Sequence, residues 1–245
     1  MSHTLGALPF IAATANTLRR HGRAMLAAAP WSLAAFVLSL PFAILAASLY
    51  WIQGGLFLLL ALVNLIAFSR MTFAWHRVIA GEGARAEAVQ GGTPQAWHLV
   101  MLGGLVIVVA ALARVTGDLP YVLYMVLNAP PTALFFAALI LVVLVIWLPV
   151  LYGLATLTPA LPRAAVTGAA GFRGIRGESV YPRWPLMLAL GMLVSAGGLA
   201  HNKLFEYLGY ATPEGLAWVA VYLALFIVLT FVAGAMVTVA YRFRR

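Results

Sequence analysis

Six apolar runs, each close to or beyond the length needed to cross a hydrocarbon layer of roughly 30 Å, constrain this chain more than any other feature. They lie at Trp31–Tyr50, Gly54–Ser69, Trp97–Ala113, Ala133–Leu157, Trp184–Ala200 and Gly215–Tyr241. Backbone in such a layer must satisfy its own hydrogen bonds, so runs of this kind are transmembrane helices. The second, third and fifth are short and the fourth and sixth long, which tilt or flanking interfacial turns must absorb. Composition excludes the soluble alternative: 64% of the residues are hydrophobic and 9% charged, against roughly 45–50% and about 25% in soluble domains. The expectation is an all-α polytopic membrane protein of six transmembrane helices, forming a single membrane domain over residues 1–245.

Charge orients the spans. Lys and Arg collect in cytoplasmic loops of inner-membrane proteins because of how they insert. With the N-terminus inside, Arg19, Arg20, Arg23, Arg70, Arg77, Arg85, Arg163, Arg173, Arg176, Arg183, Arg242, Arg244 and Arg245 all fall on the cytoplasmic side, and only Arg114 and Lys203 fall opposite. Acidic residues divide evenly: Glu82, Glu87 and Glu178 inside, Asp118, Glu206 and Glu214 outside. Both termini are therefore expected in the cytoplasm of a bacterial inner membrane. The formal net charge of +9 follows from this sorting and requires no nucleic-acid partner. The chain has no cysteine, which excludes disulfides, thiolate metal sites and cysteine nucleophiles. The start of the chain lacks a signal-peptide layout, so the first run is expected to stay as an anchor.

Non-spanning stretches carry their own patterns. In residues 1–30, Ile11, Ala15, Leu18 and Met25 fall on one helical face and Asn16, Arg19, Arg20 and Arg23 on the other, predicting an amphipathic helix in the cytoplasmic interface. The link Pro162–Arg183 repeats this more loosely, with Ala165, Ala169, Phe172 and Ile175 against Arg173 and Arg176. Arg19, Arg20, Arg23, Arg173 and Arg176 are accordingly candidate contacts for anionic lipid headgroups. Residues Leu119–Leu127 are apolar but too short to span, and Pro130 and Pro131 separate them from the fourth run, so they read as an interfacial or re-entrant piece. Arg20, Arg23 and Trp31 recur as Arg173, Arg176 and Trp184 at one offset, which raises a parallel duplication beside the simpler reading that basic lead-ins to helices look alike.

The spans hold almost no ionisable residue, and intramembrane charges are the best sequence pointer to a proton relay or ion path. Their polar residues are Asn64, Ser39, Ser195, Thr156, Thr230 and Thr238, types that ordinarily make interhelical or backbone hydrogen bonds. Thr230, Gly234 and Thr238 form a small-residue stripe on the sixth span, and Gly191 with Ser195 form one on the fifth, which lets helices approach closely. His76 and His98 flank the loop after the second span and read as interfacial histidines. A metal shared by His76, His98 and Glu82 has no recognised ligand spacing behind it, and no cofactor is implied.

The stretch Phe73-Ala-Trp75-His76-Arg77-Val-Ile-Ala-Gly81-Glu82 resembles a signature of uncharacterised bacterial six-helix inner-membrane proteins, which look like the membrane domain attached to some glycerophosphodiester phosphodiesterases. The stretch Leu157–Gly177, with Pro162-Arg163-Ala164-Ala165 inside it, is similar to the family's link between its fourth and fifth helices. The resemblance implies a six-helix fold in which Trp75, His76, Arg77 and Glu82 anchor the second and third helices. The carboxylate and histidine cluster of the hydrolase itself is absent. The expected role is a non-enzymatic component that organises lipid or acts as an accessory or assembly subunit beside another membrane protein, the alternative being a small transporter or channel component.

Overall fold

The computed structural model of the chain describes residues 6–46, 55–81, 92–127, 132–169, 171–172 and 181–243. Over these residues the protein is helical: α1 (Ala7–Ala28), α2 (Pro30–Ala46), α3 (Gly55–Ile79), α4 (Thr93–Gly117), α5 (Leu119–Leu127), α6 (Ala133–Leu157), α7 (Ala160–Thr167), α8 (Arg183–Tyr210) and α9 (Pro213–Arg242). By length and composition, five segments qualify as spans: α3, α4 with α5, α6 with α7, α8 and α9. A sixth is gained if α1 and α2, bent 87° from each other, count as one. The chain is thus an all-α, multi-pass membrane protein.

Local chemistry explains the boundaries. The α1–α2 break falls at Ala29, outside helical geometry, with Pro30 opening the next helix. The Thr132 hydroxyl caps α6 by accepting from the Phe135 N–H, and Thr212 caps α9 through the Gly215 N–H at 3.1 Å, with Pro213 in the first turn. These side chains satisfy amide groups that a helix start leaves open. Gly168 ends α7 at φ 71°, the left-handed conformation that glycine adopts without strain.

Three helices outrun their apolar sequence runs. The second run stops at Ser69, but α3 continues to Ile79; the third begins at Trp97, but α4 opens at Thr93 and ends at Gly117; the fifth ends at Ala200, but α8 reaches Tyr210. At 1.5 Å per residue α3 is roughly 37 Å long, so its final turns extend beyond a hydrocarbon layer. The Trp75-His76-Arg77 stretch therefore lies on a helix rather than in a loop. Pro162, expected within the link, is buried inside α7.

Two antiparallel hairpins, α2–α3 and α8–α9, pack side by side, with α6 against α8 and α4 against α3. The alternating directions gather the arginines of α1, α3, α7, α8 and α9 at one end of the bundle, here termed the basic end. Helices α1 and α7 close that end, α1 against α3 and α9, α7 against α3, α4 and α9. The opposite end is apolar, with Leu45, Leu204 and Val219 as its core, and carries the pairs Lys203–Glu206 at 2.6 Å and Arg114–Asp118 at 3.9 Å.

Candidate functional site

The polar side chains of the interior concentrate at the basic end, where the last turns of α3 and α9 meet the first turns of α4. The small-residue stripe of α9 forms the seam. Thr230 and Thr238 are buried, and a Cβ placed on Gly234 would stand 3.2 Å from Cε3 of Trp75, so the indole occupies the space a side chain would need. Trp75 packs on Phe231 with ring centroids 4.2 Å apart and the rings tilted by 31°, and its indole N–H donates to the Met25 carbonyl at 2.9 Å. One side chain of α3 thus holds α9 by shape and α1 by a hydrogen bond.

One residue on, the His76 ring lies 2.7 Å from the Thr238 hydroxyl through Nδ1. That hydroxyl is also 2.9 Å from the Gly234 carbonyl. With the threonine proton given to the carbonyl, as is usual for helical threonine, its lone pair receives the His76 Nδ1–H. His98, fully buried, faces His76 with ring centroids 5.5 Å apart. Its Nδ1 is 3.2 Å from the Leu161 carbonyl and its Nε2 3.0 Å from the Thr72 hydroxyl. A carbonyl can only accept, so Nδ1 carries the proton; the Thr72 hydroxyl also lies 2.9 Å from the Phe68 carbonyl of its own helix, so its single proton is shared between that carbonyl and Nε2. His98 thereby links α4 to α7 and α3. Phe73 presents an edge to His98 and lies under the guanidinium of Arg77, 5.6 Å from its centroid. Ser69, one turn before Thr72, is buried with its hydroxyl unpartnered among the described residues.

The expectation of interfacial histidines is corrected here. His76 and His98 are among the most buried side chains of the protein and face each other across the α3–α4 contact. The helices extend past the apolar runs, and α7 with α1 cover what would otherwise be an open surface. Among the described residues no group of three or more histidine, aspartate or glutamate side chains is placed to hold a metal.

The other expected residues divide. Gly191 approaches Leu151 of α6, where a Cβ would meet Cδ1 at 3.4 Å. Ser195 does not join it: it is exposed, and Gly197, 3.2 Å from Phe226 by the same measure, makes the second close approach of α8. On α1 the buried residues are Phe10, Thr14, Thr17 and Met25, so Ile11 and Ala15 lie on the exposed side and the helix is turned by about a quarter from the expected face. Arg19, Arg20 and Arg23 are exposed. Glu82, Arg173 and Arg176 lie outside the described residues, and with them two of the three residues in the second copy of the recurring Arg-Arg-Trp set.

Of two further arrangements, the first joins polar residues expected to bond between helices, and the second had no sequence signal. Asn64 donates to the Phe36 carbonyl at 2.8 Å and to the Ser39 hydroxyl at 3.1 Å, joining α3 to α2 beside the carbonyl that Pro41 leaves without a helical donor. The Tyr181 hydroxyl donates to the Ala155 carbonyl, Phe10 stacks on the Tyr181 ring, and Arg183 bonds the Tyr152 hydroxyl. This clasp docks the start of α8 onto α6 and the near end of α1. Burial pushes the Tyr181 phenol from 10.0 up to about 12, against the opposing pull of the Arg183 charge.

Comparison with protein-family models, with curated proteins and with solved structures finds no match to this chain.

Proposed function

We propose that this chain is a non-enzymatic component of a bacterial inner membrane, with both termini cytoplasmic, that organises lipid or serves as an accessory or assembly subunit of a membrane complex. The observation that carries the reading is the use to which its interior polar groups are put. Asn64, Trp75, His76 and His98 each bond a different helix, so they act as joints of a fixed bundle. Coupled transport needs a substrate or ion to bind two conformations differently, which ordinarily places ionisable groups near the midplane. Intramembrane hydrolysis needs a nucleophile or activated water held at depth. The hydroxyls of Ser39 and Thr230 are instead turned back to carbonyls of their own helices.

The basic end supports the same reading, because thirteen of the fifteen cations meet one membrane surface under the positive-inside rule. The resemblance of residues 73–82 to the six-helix inner-membrane proteins agrees with an anchoring role for Trp75, His76 and Arg77. The test is purification in native bilayer fragments followed by reconstitution. Reproducible recovery with one defined membrane protein or lipid, and no proton- or sodium-driven flux in proteoliposomes, is expected. Gradient-driven uptake by the pure chain, abolished by Asn64→Ala, would overturn the proposal in favour of a transporter.

A further inference from the structure

Helix α1 has two apolar faces, and only one is used inside the protein. The used face carries Phe10, Thr14, Thr17 and Met25. Phe10 belongs to the cluster with Ala189, Met236 and Val239, and Met25 to the cluster with Met71 and Trp75. The same clusters reach Ile79 at the end of α3, Ala240 near the end of α9 and Tyr181 just before α8. Helix α1 therefore packs across the basic end of the bundle as its closing element. Its axis turns 87° from α2, so where α2 crosses the bilayer α1 runs in the plane of its surface.

The unused face looks outward at that level. Leu8, Ile11 and Leu26 are exposed on it, with Arg19 on the same side at helical spacing and Arg20 and Arg23 at its border. No acidic residue occurs between Ala7 and Ala28. Apolar side chains flanked by cations, held in plane at the basic end of a transmembrane bundle, match the boundary between acyl chains and anionic headgroups. A free phosphate or a polyanion would use the arginines and leave the leucines in water.

Resting on the reading of the chain as a membrane organiser, we propose that α1 is a docking surface for an anionic lipid leaflet and that its engagement tightens the α3–α9 seam through Trp75. The link is the bond from the Trp75 indole to the Met25 carbonyl: lipid that holds α1 in place favours the geometry in which Trp75 fills the notch at Gly234. Binding to the docked form stabilises everything that docking requires.

The experiment uses the full chain in nanodiscs of a zwitterionic lipid, with and without phosphatidylglycerol, read by hydrogen exchange. Anionic discs are expected to slow exchange at residues 10–25, on the order of fivefold per engaged arginine at low salt and less at high salt. They are also expected to slow exchange at residues 71–79. In the R19Q/R20Q/R23Q variant both lipid effects vanish. In Trp75→Phe the effect on α1 persists while that on residues 71–79 is lost. Equal exchange of wild-type α1 in the two discs, or slowing at residues 71–79 unchanged by removal of the arginines, would overturn the proposal. The broader organiser reading fails separately, through gradient-driven flux.

Discussion

The two ends of this bundle are built from the same helices by different means. At the basic end α9 is enclosed: Ala235 to Ala240 are all buried, and indole, imidazole and hydroxyl groups pass bonds between α1, α3, α4, α7 and α9. Toward the opposite end α5 buries none of its residues, and α6 buries little beyond Trp147 except at its two extremities. The outward side chains there, such as Ile140, Leu141 and Val145, are suited to acyl chains. Hydrocarbon solvates leucine as well as a protein core does, so apolar contact between helices adds little in a membrane, whereas shape-matched small residues and interhelical hydrogen bonds do add stability. The end with buried polar groups should therefore set the stability of the whole, and the apolar end should tolerate change.

The largest effect that would sharpen this contrast is overpacking of the seam. Gly234→Leu should destabilise the fold by about 3 kcal/mol or more, because even a Cβ meets the indole at 3.2 Å and inserted core volume typically costs about 1–3 kcal/mol. The matched substitution Gly198→Leu, where the space is open, should fall within about 0.5 kcal/mol of wild type. Unfolding midpoints in nanodiscs measure both, and equal losses would remove the distinction between the two regions.

A smaller effect is expected from His98→Phe, which keeps a ring but removes the bonds to the Leu161 carbonyl and the Thr72 hydroxyl. A loss of about 1–3 kcal/mol follows from two hydrogen bonds at about 0.5–1.5 kcal/mol each, with faster hydrogen exchange at α7. Asn64→Leu should cost about 0.6–1.7 kcal/mol, the range for interhelical bonds in membranes, and should loosen α2 from α3. Leu141→Ala on the outward face of α6 should change stability by no more than about 0.5 kcal/mol.

The smallest expected signal is optical. Tyr181 holds its proton to about pH 12 when folded, against 10.0 when free. The folded pKa is the higher, so the contribution is complete below pH 10 and is lost as pH rises toward 12. In phenolate absorbance titrations, the difference between wild type and Tyr181→Phe should appear near pH 12. A difference near pH 10 would mean that the clasp on Ala155 is open.

Much of the architecture was legible because apolar runs bound by proline, glycine or charge have few other solutions. Helix α6 has the bounds expected from sequence, Ala133–Leu157, and α5 those of the short apolar stretch Leu119–Leu127, although α5 continues α4 as one candidate span where an interfacial or re-entrant piece was expected. Helices α3 and α8 ran past their expected ends because hydropathy registers where the bilayer stops, and a helix continues as long as its polar residues find partners. Thr72, His76 and His98 found theirs in α9, α7 and each other's helices, contacts between positions far apart in the chain that periodicity cannot display. The stripe Thr230–Gly234–Thr238 and the segment Trp75–His76 were both visible in sequence; that one is the socket for the other was not. The turn of α1 was misread for a related reason: with apolar residues on two faces, its pattern alone cannot say which one the bundle takes.

The most direct test of the polar seam as the element that holds the bundle is a double-mutant cycle on His76 and Thr238, 2.7 Å apart. His76→Phe, Thr238→Val and the double variant are unfolded in nanodiscs beside wild type. A coupling of about 0.6–1.7 kcal/mol is predicted, the span found for interhelical hydrogen bonds in membranes. Strict additivity, with each single variant near wild type, would contradict the account.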